Sequence, residues 1–432
     1  MGPFYHQLPV RSPVSLQALA RAVRRRNDAG AVEALGELLK TEYDADEVLL
    51  TGSGTEALQL AILAAAQRAG DVERQRGVAE WTAGGDGRFT GADRRRTGET
   101  EHAPRLALPA FTCFDVATAA IWNELPLLFY DIDPDTLAPD LESFERALDD
   151  GARVVVVNPL YGVPVPWEPL AEAAGRHGAV LIEDAAQGHG ARWKGRRLGT
   201  LGEIGVLSFG RGKGWTGGRG GALLLRGTHA ARDHDVATRA LAPADGSALL
   251  ATAAQWVLGR PRLYGIPASL PWLGLGETRF HEPAAPTAIP ASAAALALAS
   301  HAAAEREAAE RCLRARDLAR RLGQNRDRVI GQVMETADAT PGYLRLPVRV
   351  PDARRTVAAL HRWGVGPSYP VSIAELVPVR ARLAGTPRRW PGAETLVREL
   401  VTLPTHGGVG DRDVERIVRG LADLDAIGQR RV

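Results

Sequence analysis

The sequence predicts an α/β protein in which a mostly parallel sheet carries helices on its faces and a smaller α/β unit follows toward the C-terminus. Short apolar runs at residues 48–50, 154–157, 180–182 and 206–209 alternate with helical stretches, the order that right-handed βαβ crossovers require. The runs at 48–50, 154–157 and 180–182 are apolar throughout, without polar alternation, which marks strands covered on both faces. Near residue 245 the character shifts to a proline-broken apolar segment, then a long Ala-rich helical pattern, then a second alternation of strands and helices. The chain is therefore divided into a large unit over 1–245 and a second over 246–432, a length of 432 residues being ample for two or three domains.

Taken in order, Ser15 stands before apolar residues at helical spacing in SPVSLQALARAVRR and reads as a helix N-cap; the pattern resumes in GAVEALGELLKTEY. In DEVLLTGSGTEALQLAILAAA a short strand meets Gly52, Ser53, Gly54 and Thr55 before an Ala/Leu-rich helix. Glycines at such a turn let backbone N–H groups approach a phosphate, and the helix N-terminus adds a favourable field. By itself the pattern is weak, since many such turns bind nothing. Residues 82–104 are rich in Gly, Arg, Asp and Thr and read as a flexible surface insertion. DLESFERALDDGARVVVVNPLYGVPVPWEPLAEAAGRHGAVLIED reads as helix, buried strand, loop, helix, strand. The segment 249–275, broken by Pro261, Pro267 and Pro271, suits a lid, an oligomer contact or a membrane-surface patch, with core or oligomer packing preferred.

Composition narrows the function classes. A net charge of +2 with 24% charged residues gives no argument for binding nucleic acid or a membrane surface, and Arg24 to Arg26 read as a solvated helix face. Cys113 and Cys312 are the two cysteines; they lie far apart and lack metal-ligand spacing, which fits a reducing cytoplasm. The N-terminus has no basic start followed by an apolar run, so a cytoplasmic location is expected, and no stretch is long and apolar enough to span a bilayer.

The candidate chemistry lies in residues 181–225. Asp184 ends an apolar strand, where open α/β sheets place ligand contacts, and Lys213 follows the next strand in a loop of small residues. A lysine able to form a Schiff base and a carboxylate able to keep a pyridine nitrogen protonated are what a pyridoxal 5'-phosphate (PLP) site needs. Each residue alone has a plainer reading: an aspartate after a strand caps turns and helices, and a lysine among glycines is usually solvated.

Several ordered blocks, IEDAAQGHGA, GTLGEIGVLSFGRGK and GGRGGALL, together resemble the cofactor core of the DegT/StrS-type aminotransferases. That family is the sugar-aminotransferase branch of the fold type I, aspartate aminotransferase-like, PLP enzymes. The resemblance implies that Lys213 forms the Schiff base and acts as general acid/base, and that Asp184 holds the ring nitrogen protonated. It also implies that Gly54, Thr55 and Glu56 hold the phosphate through backbone N–H groups, assisted by the Thr55 side chain and the Ser208 hydroxyl, and that Gln187 bonds a ring substituent. The stacking side chain falls at Cys113 by position or at Phe114 by chemistry. The implied substrates are an amino donor, glutamate or glutamine, and the keto group of a sugar-like or related biosynthetic intermediate, in a homodimer with shared active sites and no metal. Three departures stand out: Asn158 replaces a histidine in NPLYG, Gly214 and Arg219 stand where the family has asparagine and glutamate, and Ser368 replaces a histidine before Tyr369. Competing readings are a dehydratase of the same family, against which Lys213 argues because those relatives carry histidine there; a PLP-binding regulatory protein without activity; and an α/β binding protein without PLP.

Overall fold

The computed structural model describes residues 5–75, 103–246, 249–258, 260–265, 278–323, 328–330 and 338–429. Strands β1 (Glu47–Thr51), β2 (Arg105–Pro109), β3 (Leu127–Tyr130), β4 (Ala152–Val157), β5 (Val180–Asp184), the short hairpin β6 (Arg192–Trp193) and β7 (Arg196–Arg197), then β8 (Ile204–Ser208) and β9 (Gly221–Leu225) belong to the large unit. Seven of them form one sheet in the order β1-β9-β8-β5-β4-β2-β3. Pairings from β8 to β3 are parallel, whereas β9 runs antiparallel to both of its neighbours. That leaves β1 parallel to the rest, so the sheet is mostly parallel as expected. Val154, Val156 and Val157 of β4 are fully buried, which is why the run carries no polar alternation.

Helices cover the sheet. α1 (Leu16–Arg24) is capped by Ser15, whose Oγ accepts the Ala18 N–H at 3.1 Å, as the sequence predicts. α2 (Ala29–Tyr43) precedes β1, and α3 (Gly54–Gln75) follows it. The Ala-rich pattern is a single helix, Ala291–Arg321, whose small side chains allow close packing against α1 and α2. Among the described residues, no helix is long and apolar enough to cross a membrane.

The C-terminal unit holds β10 (Ala339–Thr340), which joins the β6/β7 hairpin, and β11 (Leu346–Arg349), β12 (Gly366–Pro367) and β13 (Leu400–Leu403), which form an antiparallel sheet in the order β11-β13-β12. The N-terminal residues pack against this unit. Gln7 Nε2 donates to the Gly408 carbonyl at 2.8 Å and to Asp413 at 3.0 Å, and the buried His406 ring meets the Leu8 carbonyl at 2.9 Å. A boundary drawn by sequence order omits that contact. Apart from Ala103 and Pro104, the insertion read at 82–104 lies outside the described residues. Of the 249–275 segment, Leu249–Leu258 is a helix and residues 266–275 lie outside.

Candidate active site

Five parallel strands deliver their carboxyl ends to one cleft. It is lined by Gly54, Thr55, Leu58, Cys113, Asp115, Val116, Asn158, Asp184, Ala186, Gln187, Ser208 and Lys213. These residues follow β1, β2, β4, β5 and β8, so the cleft sits where side chains and loop N–H groups leave an open α/β sheet.

The first wall is the turn into α3. Ser53 and Glu56 form a capping box: Ser53 Oγ accepts the Glu56 N–H at 3.2 Å and donates to the Glu56 carboxylate at 3.0 Å. The other Glu56 oxygen accepts both the backbone N–H and the hydroxyl of Thr287, at 2.7 and 2.9 Å. Glu56 therefore belongs to the cap and does not line the cleft, a correction to its expected place in the phosphate grip. Gly54 and Thr55 do line it. Their N–H groups open the helix and have no carbonyl one turn back inside it. Gly54 lies so close to β8 that an added Cβ would come within 2.6 Å of Ser208 Cβ and 2.8 Å of its Oγ, so only glycine lets the turn and the hydroxyl share this corner.

The opposite wall carries the acid. Asp184 is 5% exposed, and its oxygens accept the Ala186 N–H at 3.1 Å and Asn158 Nδ2 at 2.7 Å. Burial raises its pKa above the ordinary range, opposed by the Ala186 N–H, the Lys213 charge and the Asn158 amide, while Asp115 pushes with burial. Lys213 reaches the cleft from the loop after β8. That loop is tied down because the Gly212 N–H donates to Ser12 Oγ at 3.0 Å. Arg219, further along the loop, donates to the carbonyls of Gly52 and Asp245 at 3.3 and 2.8 Å, so it braces the turn into α3.

Between the two walls stands Cys113, the residue before helix Phe114–Trp122. Of the two stacking candidates, Cys113 lines the cleft, and Phe114 is 5% exposed in the core. Burial pushes the Cys113 thiol up to about 12, aided by Asp115, so it presents a neutral, polarisable surface. Gln187 touches the cleft, but its amide also ties two units together. Its Oε1 accepts the Tyr161 N–H at 3.0 Å and its Nε2 donates to Tyr369 Oη at 2.9 Å. Tyr161 itself holds a left-handed backbone, φ 56°, and its hydroxyl meets Ser368 Oγ at 2.5 Å.

The structure thus gathers Gly54, Thr55, Cys113, Asp184, Gln187, Ser208 and Lys213, and leaves out Glu56 and Phe114. Sequence reasoning missed Asp115, Val116, Ala186 and Leu58. Asp115 alone left a signal, as a carboxylate in the first turn of a helix beside the expected stacking position.

Such a donor set fits a phosphate-bearing pyridine aldehyde: helix-opening N–H groups and a hydroxyl at one end, a buried carboxylate at the other, an amine beside them. The fold is that of solved aminotransferase structures. Residues 102–242 match the model of the DegT/DnrJ/EryC1/StrS aminotransferase family. The chain is 40% identical over 119 residues to an L-glutamine:2-deoxy-scyllo-inosose aminotransferase of Streptomyces kanamyceticus, a stretch covering 28% of each protein. It is 34% identical over 120 residues to a 3-amino-5-hydroxybenzoate synthase of Amycolatopsis mediterranei (strain S699), covering 28% of this chain and 31% of that one. The chain thus matches between a quarter and a third of these curated relatives' length. Among solved structures, a 3-amino-5-hydroxybenzoic acid synthase superposes with a TM-score of 0.69 at 21% identity, over 99% of this chain and 100% of that one. The sugar aminotransferase CalS13 from Micromonospora echinospora gives 0.68 at 20%, over 96% and 98%. The likeness in fold therefore spans the whole chain, and the likeness in sequence centres on the cleft-forming strands.

Proposed function

We propose that the protein is a PLP-dependent aminotransferase that moves an amino group from glutamine or glutamate to a keto group on a sugar-like or cyclitol-like biosynthetic intermediate. The observation that carries this is the placement of Lys213 and Asp184 on one cleft whose far corner is the Gly54–Thr55–Ser208 turn. The relatives' names support the substrate class, since they act on an inosose with glutamine as donor.

PLP, when bound, supplies an aldehyde that condenses with amines and a pyridinium ring that takes up an electron pair. Gly54 and Thr55 offer N–H groups, and Ser208 its hydroxyl, to the phosphate. Asp184 holds the proton on the ring nitrogen through a charge-assisted hydrogen bond. Cys113, which lines the cleft, would lie against the cofactor and exclude water there. Lys213 would supply the amine that secures the cofactor and, once freed by the donor, would serve as the base that takes up and returns the proton during amino transfer. Gln187, just beyond Asp184, ties that wall to Tyr161 and Tyr369. We read the assembly as a homodimer; the helix Leu249–Leu258 leaves Val257 and Leu258 exposed, at 43% and 41%, as surface for such a contact.

Purified protein supplied with PLP should turn yellow, absorbing near ~420 nm, and should bleach when glutamine or glutamate is added. Lys213→Ala should lack that band. A wild-type protein that takes up no PLP sinks the reading, whereas colour that no donor bleaches favours a regulatory PLP-binding protein. A panel of keto sugars, keto cyclitols and aminobenzoate precursors offered to the bleached form identifies the acceptor.

A further inference from the structure

The carboxylate expected at the ring nitrogen does not stand alone. Asn158, at the end of β4 and 6% exposed, donates from Nδ2 to Asp184 Oδ2 at 2.7 Å and to the Asp184 main-chain carbonyl at 3.2 Å. Its Oδ1 accepts the hydroxyl of Thr112 at 2.9 Å, and Thr112 is fully buried just beyond β2. Three adjacent strands, β2, β4 and β5, therefore converge through one hydrogen-bonded chain.

The direction of that chain is fixed by donor and acceptor chemistry. Were the amide turned over, its oxygen would face two acceptors, the carboxylate and the carbonyl, and its NH2 would face Thr112. The two Asp184 acceptors select the orientation that presents N–H to the carboxylate, and the Thr112 hydroxyl, donating to Oδ1, holds the amide in it. The remaining carboxylate oxygen takes the Ala186 N–H. Among the described residues no ion pair involves Asp184, so its short side-chain contact is a neutral amide that cannot titrate. The charges that act on it, Lys213 favourably and Asp115 unfavourably, come from the loop after β8 and from the helix after β2.

We propose that Asn158, oriented by Thr112, is a positioning residue that keeps the Asp184 carboxylate ionised and in one orientation, and so sets how firmly the cofactor's ring nitrogen holds its proton. This rests on the PLP reading above. The physical cause is desolvation: a buried carboxylate without donors takes up a proton and becomes a neutral acid, which no longer balances a pyridinium. Donated N–H bonds offset that tendency. The family's pattern has histidine at this position; the amide supplies the donor without a charge of its own.

The test uses the full-length protein loaded with PLP labelled with nitrogen-15 in the ring, whose NMR shift separates protonated from neutral pyridine, together with the equilibrium affinity for PLP. Wild type should show the protonated signal. Asn158→Leu, similar in volume but without donors, should move the signal toward neutral pyridine between pH 7 and 9 and weaken PLP binding about tenfold, the loss expected for one hydrogen bond to a charged group. Thr112→Val should shift both in the same direction by about threefold in affinity, because the amide remains but is no longer held. Asn158→His, which restores an N–H donor, should bring the signal back. An Asn158→Leu protein that folds, keeps the protonated signal and binds PLP within twofold of wild type overturns the proposal; should that variant not fold, an unchanged Thr112→Val overturns it equally. Failure of the wild type to take up PLP instead brings down the proposed function, so the two failures are told apart.

Discussion

Glu183 and Asp184 are consecutive carboxylates on β5, and successive strand side chains point to opposite faces of the sheet. Both are buried, yet their surroundings differ. Glu183 is fully enclosed and accepts backbone N–H groups of Gly199, Leu201 and Gly202 at 2.6, 2.7 and 3.4 Å. Burial raises its pKa to about 6, opposed by those N–H groups and by Arg226. Its three hydrogen bonds all go into pinning the loop before β8, and Glu183 does not line the cleft. Asp184 faces the other way, is held by one N–H and one amide, and retains lone pairs toward the cleft. A carboxylate saturated by its own chain is a structural brace; one left partly unsatisfied at a strand end is a site.

That contrast can be broken by substitution. The largest effect is expected from Asp184→Ala, which should lower amino-transfer turnover on the order of 10³-fold, or about 4 kcal/mol of transition-state stabilisation, while thermal unfolding of the PLP-free protein changes little. Donor-bleaching kinetics beside a melting curve check both halves.

Glu183→Gln should do the reverse. It places an NH2 group against N–H donors and should cost about 2–3 kcal/mol of folding stability, with bleaching rates of the folded fraction within about threefold of wild type, roughly the factor 0.6 kcal/mol allows. Urea unfolding reads this; a variant as stable as wild type but inactive would erase the distinction between the two acids.

The pH dependence follows from the same residue. With a folded pKa of about 6 above the ordinary 4.5, the folded state binds the proton more tightly than the unfolded chain. The Glu183 contribution is therefore present below pH 4.5 and is lost as pH rises through 6, a fall of about 2 kcal/mol. Glu183→Gln should lack that slope, seen as unfolding midpoints of the two proteins measured from pH 4.5 to 7.

The smallest effects concern the floor and the opposite corner. Gly54→Ala should weaken PLP binding about tenfold, or ~1.4 kcal/mol, since its Cβ and Ser208 cannot share the space. Phe114→Leu should cost stability of about 1 kcal/mol and leave PLP affinity unchanged, which would fail if Phe114, and not Cys113, covered the ring.

Much of this arrangement is legible in the linear chain. Apolar runs of four or five residues between helical periods state a parallel sheet because burial on both faces is a local property of each strand. Asp184 at a strand end, Gly54 at a strand-to-helix turn and Lys213 in a loop of small residues follow from the same local reading. Even the capping box was written in SGTE, Ser53 to Glu56, although the phosphate interpretation drew Glu56 into the grip. Its carboxylate partner, Thr287, lies 231 residues away.

What only the tertiary structure decided has that character throughout. Periodicity tells which residues turn inward, but not what meets them. Cys113 rather than Phe114 reaches the cleft because the helix starts between them, with Cys113 in extended backbone at φ −61°, ψ 141° and Phe114 in the first turn. Thr112, Asn158 and Asp184 are joined across 46 and 26 residues by strand order, and Glu183 finds its N–H donors 16 to 19 residues on. A local pattern is set by the chain's own geometry, so the sequence by itself determined the strands, their helices and the two residues proposed to carry the chemistry. Hydrogen-bond partners are set by which strands become neighbours, and that choice is made only when the whole core closes.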